Sequence, residues 1–352
     1  MINKNIYNYL KEQQINKAIQ KRKIKSATFE LLTACNFKCI HCYNQDLKVT
    51  YIDYDIFKNV INQLVKLGCE KITLTGGEPL LHPNFKDIYL YCIEKNLKVK
   101  LFINGYFIDK HIELLRDFNP QKIEISLYGV SNSTYKKICN VGDGFDKVIN
   151  NIKLLKLNNI KLQIKTIVME QNFNEFKEMT KLCQNLNLPF KFDTIILNSK
   201  NFTNNQSNNI LNENYYNFMQ MIKEFKIKNW EQYPLKKQAN KTIDLIYKCY
   251  AGKQSLFISS NGFARICNFA EFSKKDLRKY SVFEAWQSFE EFLNVKEDKS
   301  SQCFNCKYKY CCSNCPVSSY MHNHTDGKSK LPVTQNCREA QFIYESITKK
   351  IN

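Results

Sequence analysis

The chain has 352 residues, 43% of them hydrophobic and 13% aromatic, with a formal net charge of +19 and 15 cysteines. That length supports a full-sized core, one large domain with a smaller companion. The polar, basic first segment has no apolar stretch leading to a small-residue cleavage site, which excludes a secretory signal peptide, and no run reaches the ~20 apolar residues of a membrane span. The expected setting is a reducing cytoplasm with no membrane association, where the cysteines point to metal or redox chemistry rather than disulfides. Nucleic acid is not an expected partner. The basic residues are almost all Lys, with Arg22, Arg116, Arg265, Arg278 and Arg338 as the arginines, and bidentate phosphate or guanine contacts favour Arg. A solvated lysine surface explains the charge, and an acidic peptide partner would suit it.

Residues 1–26 read as a basic extension. From there short apolar runs alternate with amphipathic ones. "TFELLT" (28–33) reads as a strand and "YDIFKNVINQLVKLG" (54–68) as a helix closed by Gly68. Strands follow at 71–75, 98–103, 122–127, 161–169 and 190–197, with helices at 84–96, 109–118, 144–159 and 174–186. Lys165, on the fifth strand, would meet a carboxylate at the site if it faced inward, but an outward lysine is the expectation. Six strands alternating with five helices argue for an α/β fold with a parallel sheet, curled as a partial or complete barrel over residues 27–197. Such a sheet carries its chemistry on the loops after the strand C-termini. Cys35–Cys42 follow the first strand, "GGEP" (76–79) the second and Asn104-Gly105 the third. A polar linker begins at 198, helices are expected within 198–247, a cysteine-rich unit spans 248–340 and a helical tail spans 341–352.

The stretch "ACNFKCIHC" puts Cys35, Cys39 and Cys42 on one loop. A four-iron cubane normally takes four thiolates, so three leave one iron open, as a catalytic zinc keeps a position for its substrate. Unpaired thiols or half a zinc site are the plainer alternatives. The loop resembles that of the radical SAM enzymes, whose signature is C-x3-C-x-Φ-C, with Φ aromatic, after the first strand of a partial (β/α)6 barrel. Here it stands as Cys35, Cys39, His41 and Cys42. The resemblance implies that the open iron binds S-adenosylmethionine, which one electron cleaves to a 5′-deoxyadenosyl radical, and that His41 flanks the adenine. It also implies a cosubstrate site at Gly76, Gly77, Glu78 and Pro79, where two glycines permit close backbone approach and a carboxylate suits an ammonium. Asn104 and Ser126 match ribose or carboxylate contacts, although Asn-Gly is also an ordinary turn.

The tail reads Cys249-x12-Gly262-x4-Cys267, then Cys303-x2-Cys306-x5-Cys312-x2-Cys315, then Cys337. Paired zinc knuckles are one reading. The pattern resembles the SPASM extension of radical SAM enzymes, a small cysteine-rich domain with a short hairpin and helices that holds two auxiliary 4Fe-4S clusters. That resemblance assigns Cys249, Cys267 and Cys315 to the inner cluster and Cys303, Cys306, Cys312 and Cys337 to the outer one, three clusters in all. The family spacing before the last cysteine of the quartet is one residue longer, so Cys311 competes with Cys312. The inner cluster lacks a fourth cysteine, leaving Asp244, Cys311, solvent or an open iron. Cys69, Cys92, Cys139 and Cys183 are expected to be packing residues.

SPASM enzymes resemble one another in modifying peptides or proteins. "SLYG" (126–129) is similar to the peptide-maturase branch, which implies an oxidoreductase that cross-links a ribosomally made peptide through thioether or carbon–carbon bonds. The alternatives are a sulfatase maturase forming formylglycine, an epimerase, a tetrapyrrole-pathway member, or a non-catalytic iron–sulfur electron carrier. The segment before the first strand is too short for a leader-binding domain, so a separate leader-binding protein, or recognition by the basic N-terminal segment, is expected, with flavodoxin or ferredoxin as reductant. Tyr128, Asp193 and His82 are candidate bases by their nearness to strand ends.

Overall fold

The structure is a computed structural model that describes residues 22–44, 47–202, 214–222 and 245–348. Six parallel strands follow one another in space as in sequence: β1 (Ser26–Glu30), β2 (Lys71–Thr75), β3 (Lys98–Ile103), β4 (Lys122–Ser126), β5 (Leu162–Ile167) and β6 (Phe190–Asp193). Between them lie α1 (Tyr54–Lys66), α2 (Phe85–Glu94), α3 (Ile112–Asp117), α4 (Asn132–Cys139), α5 (Gly144–Leu157) and α6 (Phe176–Asn185). The strands alternate with period two. Ala27, Phe29, Ile72, Leu74, Val99, Leu101, Ile123 and Ile125 are buried on the helix-covered face, while Thr28, Thr73, Lys100 and Glu124 stand on the other.

Helix boundaries follow local chemistry. Asp53 caps α1 by accepting from the N–H groups of Asp55 and Ile56, and Gly68, at φ +81°, ends that helical segment. Phe57, Val60, Ile61 and Leu64 recur on one face of α1 and are buried. The pattern of the sequence does not anticipate α4. It is capped by Ser131, which accepts from Thr134 N, and stops at Asn140 in the left-handed region. Its polar "NST" opening and the flanking Gly129 and Gly142 resemble loop. The first and last barrel strands are also shorter or earlier than their apolar runs, 26–30 and 190–193.

The sheet does not end with the barrel. Strand β7 (Ser255–Ile258) pairs in parallel with β1, aligning Ser26 with Ser255 and Phe29 with Ile258. It then turns back through β8 (Phe263–Arg265) and β9 (Lys275–Asp276), giving the order β6-β5-β4-β3-β2-β1-β7-β8-β9. The hairpin expected in the tail is therefore an extension of the barrel sheet. Helices α7 (Val282–Ser288), α8 (Pro316–Asn323) and α9 (Thr334–Thr348) follow. Residues 214–222 are helical, whereas 245–247, expected to close a helix, are not helical, with Leu245 bridged to Lys296; residues 223–244, which include Asp244, and most of the N-terminal extension lie outside the described residues.

Candidate active site

The three-cysteine loop is fastened on two sides. Lys38 N donates to Cys139 O and Ile40 N to Ile138 O, both at 2.9 Å, which ties the loop to the end of α4. Gly77 N donates to Leu32 O at 2.7 Å and Glu78 N to Ala34 O at 2.9 Å, which ties it to the loop after β2. Backbones approach so closely there that a Cβ on Gly77 would sit 2.1 Å from Ala34 O, and one on Gly76 2.5 Å from Leu32 O. Only glycine leaves that space. Two thiols receive backbone donors, Phe37 N to Cys35 Sγ and Asn44 N to Cys42 Sγ, each at 3.4 Å. Burial pushes the Cys35 thiol up to about 12 and Cys42 up to about 11, and in both the neighbouring loop cysteines add to the rise.

His41 is half-buried, and desolvation lowers its imidazole to about 4. Its Nδ1 is buried with no hydrogen-bond partner among the described residues, and its ring lies 5.1 Å from that of Tyr128. Tyr128 hydrogen-bonds with Ser126 and neighbours Cys39. Of the three candidate bases it alone is brought to the cysteine loop. His82 uses both ring nitrogens, one at 3.2 Å from Ile52 O and the other accepting from Asn84 N. Asp193 Oδ1 accepts from Thr194 N and Ile195 N.

Glu78 is fully buried. One oxygen accepts from Leu80 N at 3.1 Å, where Glu78 caps the short turn begun by Pro79, and the other from Asn104 N at 2.7 Å. Its carboxylate thus links the loops after β2 and β3, and burial raises its pKa to about 7 against those hydrogen bonds. Asn104 in turn donates to Asn36 Oδ1 at 2.8 Å and approaches Cys35 Sγ at 3.7 Å. Sequence reasoning missed Asn36, which occupies an unspecified position between Cys35 and Cys39.

It also missed Lys200 and Glu30. Their buried side chains pair at 2.8 Å, with Glu30 further held by Asn44 and Ser260. Burial opposes ionisation of Glu30, yet Lys200, Asn44 and Ser260 together hold the carboxyl below its usual range. The pair lies beside Cys42. Cys139 is buried as expected, but it packs within hydrogen-bonding reach of the Cys39 thiol. Lys165 faces the opposite way from expectation: it is in register with Ser126 and pairs with Glu124 on the face without helices, because the alternation of β5 puts Ile164 and Thr166 under the helices.

In the tail, Cys267 is pushed up to about 12 by burial and then by Cys315 and Cys249. Burial, then Cys312 and Cys337, raise Cys303, and burial, then Cys312 and Cys306, raise Cys337. The thiols thus gather as 249, 267 and 315, and as 303, 306, 312 and 337. Cys315 opens α8 and accepts from Ser318 N, and Cys312 accepts from Asn314 N. Cys311 is 3% exposed and packs in the apolar core. Among the described residues no group of three or more His, Cys, Asp or Glu is arranged to hold a single metal ion. Fit to a larger group rests on donor chemistry. Clustered thiols with N–H donors aimed at sulfur, a glycine cradle and an unpartnered buried imidazole nitrogen suit an iron–sulfur cluster and a polar cosubstrate.

Comparison with known proteins agrees. Residues 29–183 match the Radical SAM superfamily. These residues form a radical SAM domain, and the chain is an enzyme. It is 24% identical over 320 residues to the AdoMet-dependent heme synthase of Methanosarcina barkeri, covering 83% of this chain and 91% of that protein. It is 31% identical over 164 residues to the antilisterial bacteriocin subtilosin biosynthesis protein AlbA of Bacillus subtilis, covering 46% of this chain and 37% of that one. Among solved structures, native anSMEcpe with bound AdoMet and Cp18Cys peptide has the same fold, with a TM-score of 0.70 at 15% identity over 94% of this chain and 98% of that one. The radical SAM fold implies a 4Fe-4S cluster and S-adenosylmethionine. No helix among the described residues is long and apolar enough to cross a membrane.

Proposed function

We propose that this radical SAM enzyme oxidatively modifies a peptide, cross-linking a ribosomally made precursor through a thioether or carbon–carbon bond. The observation that carries this reading is the pair of thiol groups in the tail. A cluster there, held by Cys303, Cys306, Cys312 and Cys337, has a full set of four thiols. The group of Cys249, Cys267 and Cys315 has three, which leaves a position where a substrate thiolate could bind. The likeness to a bacteriocin maturase over the barrel and to a fold seen with bound peptide supports the same substrate class.

In this reading Cys35, Cys39 and Cys42 hold the first cluster, and Gly76, Gly77 and Pro79 border the cosubstrate with His41, Asn104 and Ser126. Glu78 acts through the loops it ties together. The bound cluster and S-adenosylmethionine supply the hydrogen-abstracting radical when an electron arrives from a flavodoxin- or ferredoxin-like donor. The chain itself orients the reactants and excludes water around the buried loop. Leader recognition by a separate protein belongs to the same proposal. A second reading has its own support: the heme synthase likeness runs over most of both chains, so heme formation from a tetrapyrrole is the alternative.

The test is anaerobic co-expression with each short peptide encoded beside the gene, followed by intact-mass measurement. A loss of two hydrogens per modified site, absent when Cys35, Cys39 and Cys42 are all alanine, supports cross-linking. Unchanged peptides together with conversion of an iron porphyrin would move the heme reading ahead.

A further inference from the structure

The sheet face that carries no helices is charged in an unusual way. Strand register sets Lys71 directly beside Lys98, Lys100 beside Lys122 and Lys165 beside Lys191. Like charges placed directly opposite across strands destabilise a sheet, and here the arrangement recurs three times. The carboxylates on that face are few. Glu124, 8% exposed, pairs with Lys122 at 2.7 Å and with Lys165; Glu30 is taken by Lys200; Asp193 turns to its own backbone. Among the described residues no carboxylate pairs with Lys71, Lys98, Lys100 or Lys191.

Lys100 stands at the centre of this row. Burial lowers its pKa first, and Lys122, Lys71 and Lys165 lower it further against the pull of Glu124. The face also leads to the cysteine loop. Two residues beyond Phe102 on the same side of β3 comes Asn104, 3.7 Å from Cys35 Sγ, and two beyond Glu124 comes Ser126.

We propose that this face receives an acidic peptide segment, whose carboxylates pair with Lys71, Lys98, Lys100 and Lys191, the lysines that Glu124 leaves unpaired. Charge complementarity selects the occupant: anions set between adjacent ammonium groups replace their mutual repulsion with attraction. The choice of a peptide over another polycarboxylate rests on the function proposed above. Bound there, an acidic stretch extends along the sheet toward the strand ends and presents its neighbouring residues to the radical SAM site.

The test is fluorescence anisotropy on the cluster-loaded full chain, with a labelled peptide alternating Glu and Ala and its Gln–Ala counterpart. The acidic peptide should bind more tightly and weaken as salt rises. Lys71→Gln with Lys100→Gln should weaken it about tenfold, as expected for loss of interfacial charge pairs. Lys86→Gln with Lys181→Gln, exposed on helices α2 and α6, should leave both this binding and S-adenosylmethionine cleavage unchanged. Equal binding of the two peptides, or equal weakening by the helix substitutions, would overturn the proposal. Tighter binding of a tetracarboxylate porphyrin, lost with the same two lysines, would overturn the peptide as occupant. Peptides that are modified without any preference for acidic stretches would remove this inference alone. Specific acidic-peptide binding with no peptide ever modified would remove the cross-linking reading and leave the lysine face as a carboxylate site.

Discussion

The loop at 35–42 and the tail from 249 to 337 both gather thiols, but they spend very different lengths of chain doing so. In the loop one short turn supplies all three sulfurs, and its backbone is gripped by Cys139 and Ile138 on one side and by Gly77 and Glu78 on the other. In the tail, thiols distant in sequence meet only after β7 has joined β1 and α8 and α9 have packed. Cys249 and Cys337 stay exposed, whereas Cys39 is buried. A site built locally should survive damage elsewhere, and a site built from tertiary contacts should not.

The largest effect should come from separating the two. Replacing Cys35, Cys39 and Cys42 together by alanine should reduce S-adenosylmethionine cleavage to background and remove about four irons, the content of one cubane. Replacing Cys303, Cys312 and Cys337 should remove a similar amount of iron and abolish product formation while cleavage persists. Iron analysis and quantification of 5′-deoxyadenosine check both. Cleavage lost equally in the two variants would mean that the loop is not autonomous.

The seam between the regions is the next target. Lys200 and Glu30 are about 5% exposed and pair beneath the loop, with Ser260 of the tail hairpin completing the network. Removing one member strands the other as a buried charge, which costs about 3–5 kcal/mol. Lys200→Met should lower the thermal midpoint accordingly, and adding Glu30→Met should recover much of the loss. Chemical denaturation of the three variants measures this. A Lys200→Met protein as stable as the parent would show that water reaches the pair.

These two regions also differ in how far the sequence reveals them. The loop and "GGEP" are legible because their chemistry is local: thiol spacing, and glycines where backbones touch. The six barrel strands are legible because alternation records which face meets helices. The attachment of β7 to β1 is not, since pairing between residues so far apart leaves no local pattern. For the same reason Asn36, Lys200 and Glu30 went unnoticed, being polar residues whose partners are distant in sequence. The direction of Lys165 is not legible from the habit of lysines to face solvent. The face without helices satisfies that habit as well.

Glu78 offers a pH test of the link between the loops after β2 and β3. Its folded pKa, about 7, lies above that of an unfolded glutamate, so the folded state holds the proton more tightly. The protonated side chain thus favours folding at low pH, and that contribution fades as pH rises from about 4.5 through 7. The full difference corresponds to at most about 3 kcal/mol. Stability measured across that range should fall more steeply for the parent than for Glu78→Gln, whose side chain does not titrate. Parallel pH profiles would show that the hydrogen bonds from Leu80 and Asn104 keep the carboxylate ionised and cancel the cost of burial.

A pair of glycines gives the finest comparison. At Gly77 an added methyl meets the carbonyl of Ala34 at 2.1 Å, and backbone cannot yield as a side chain can. At Gly262, in the turn between β7 and β8, the nearest atom is a side-chain carbon of Ile56 at 4.0 Å, and the only obstacle is a φ of +81°. Gly262→Ala should therefore cost about 1–2 kcal/mol, the penalty of the left-handed region. Gly77→Ala adds overpacking, typically about 1–3 kcal/mol, at the point where the loop is fastened. The decisive difference is in kind: Gly77→Ala should weaken S-adenosylmethionine binding out of proportion to its loss of stability, whereas Gly262→Ala should lower stability alone. Isothermal titration beside thermal denaturation separates the two, and equal binding by both variants would deny Gly77 any role beyond the fold.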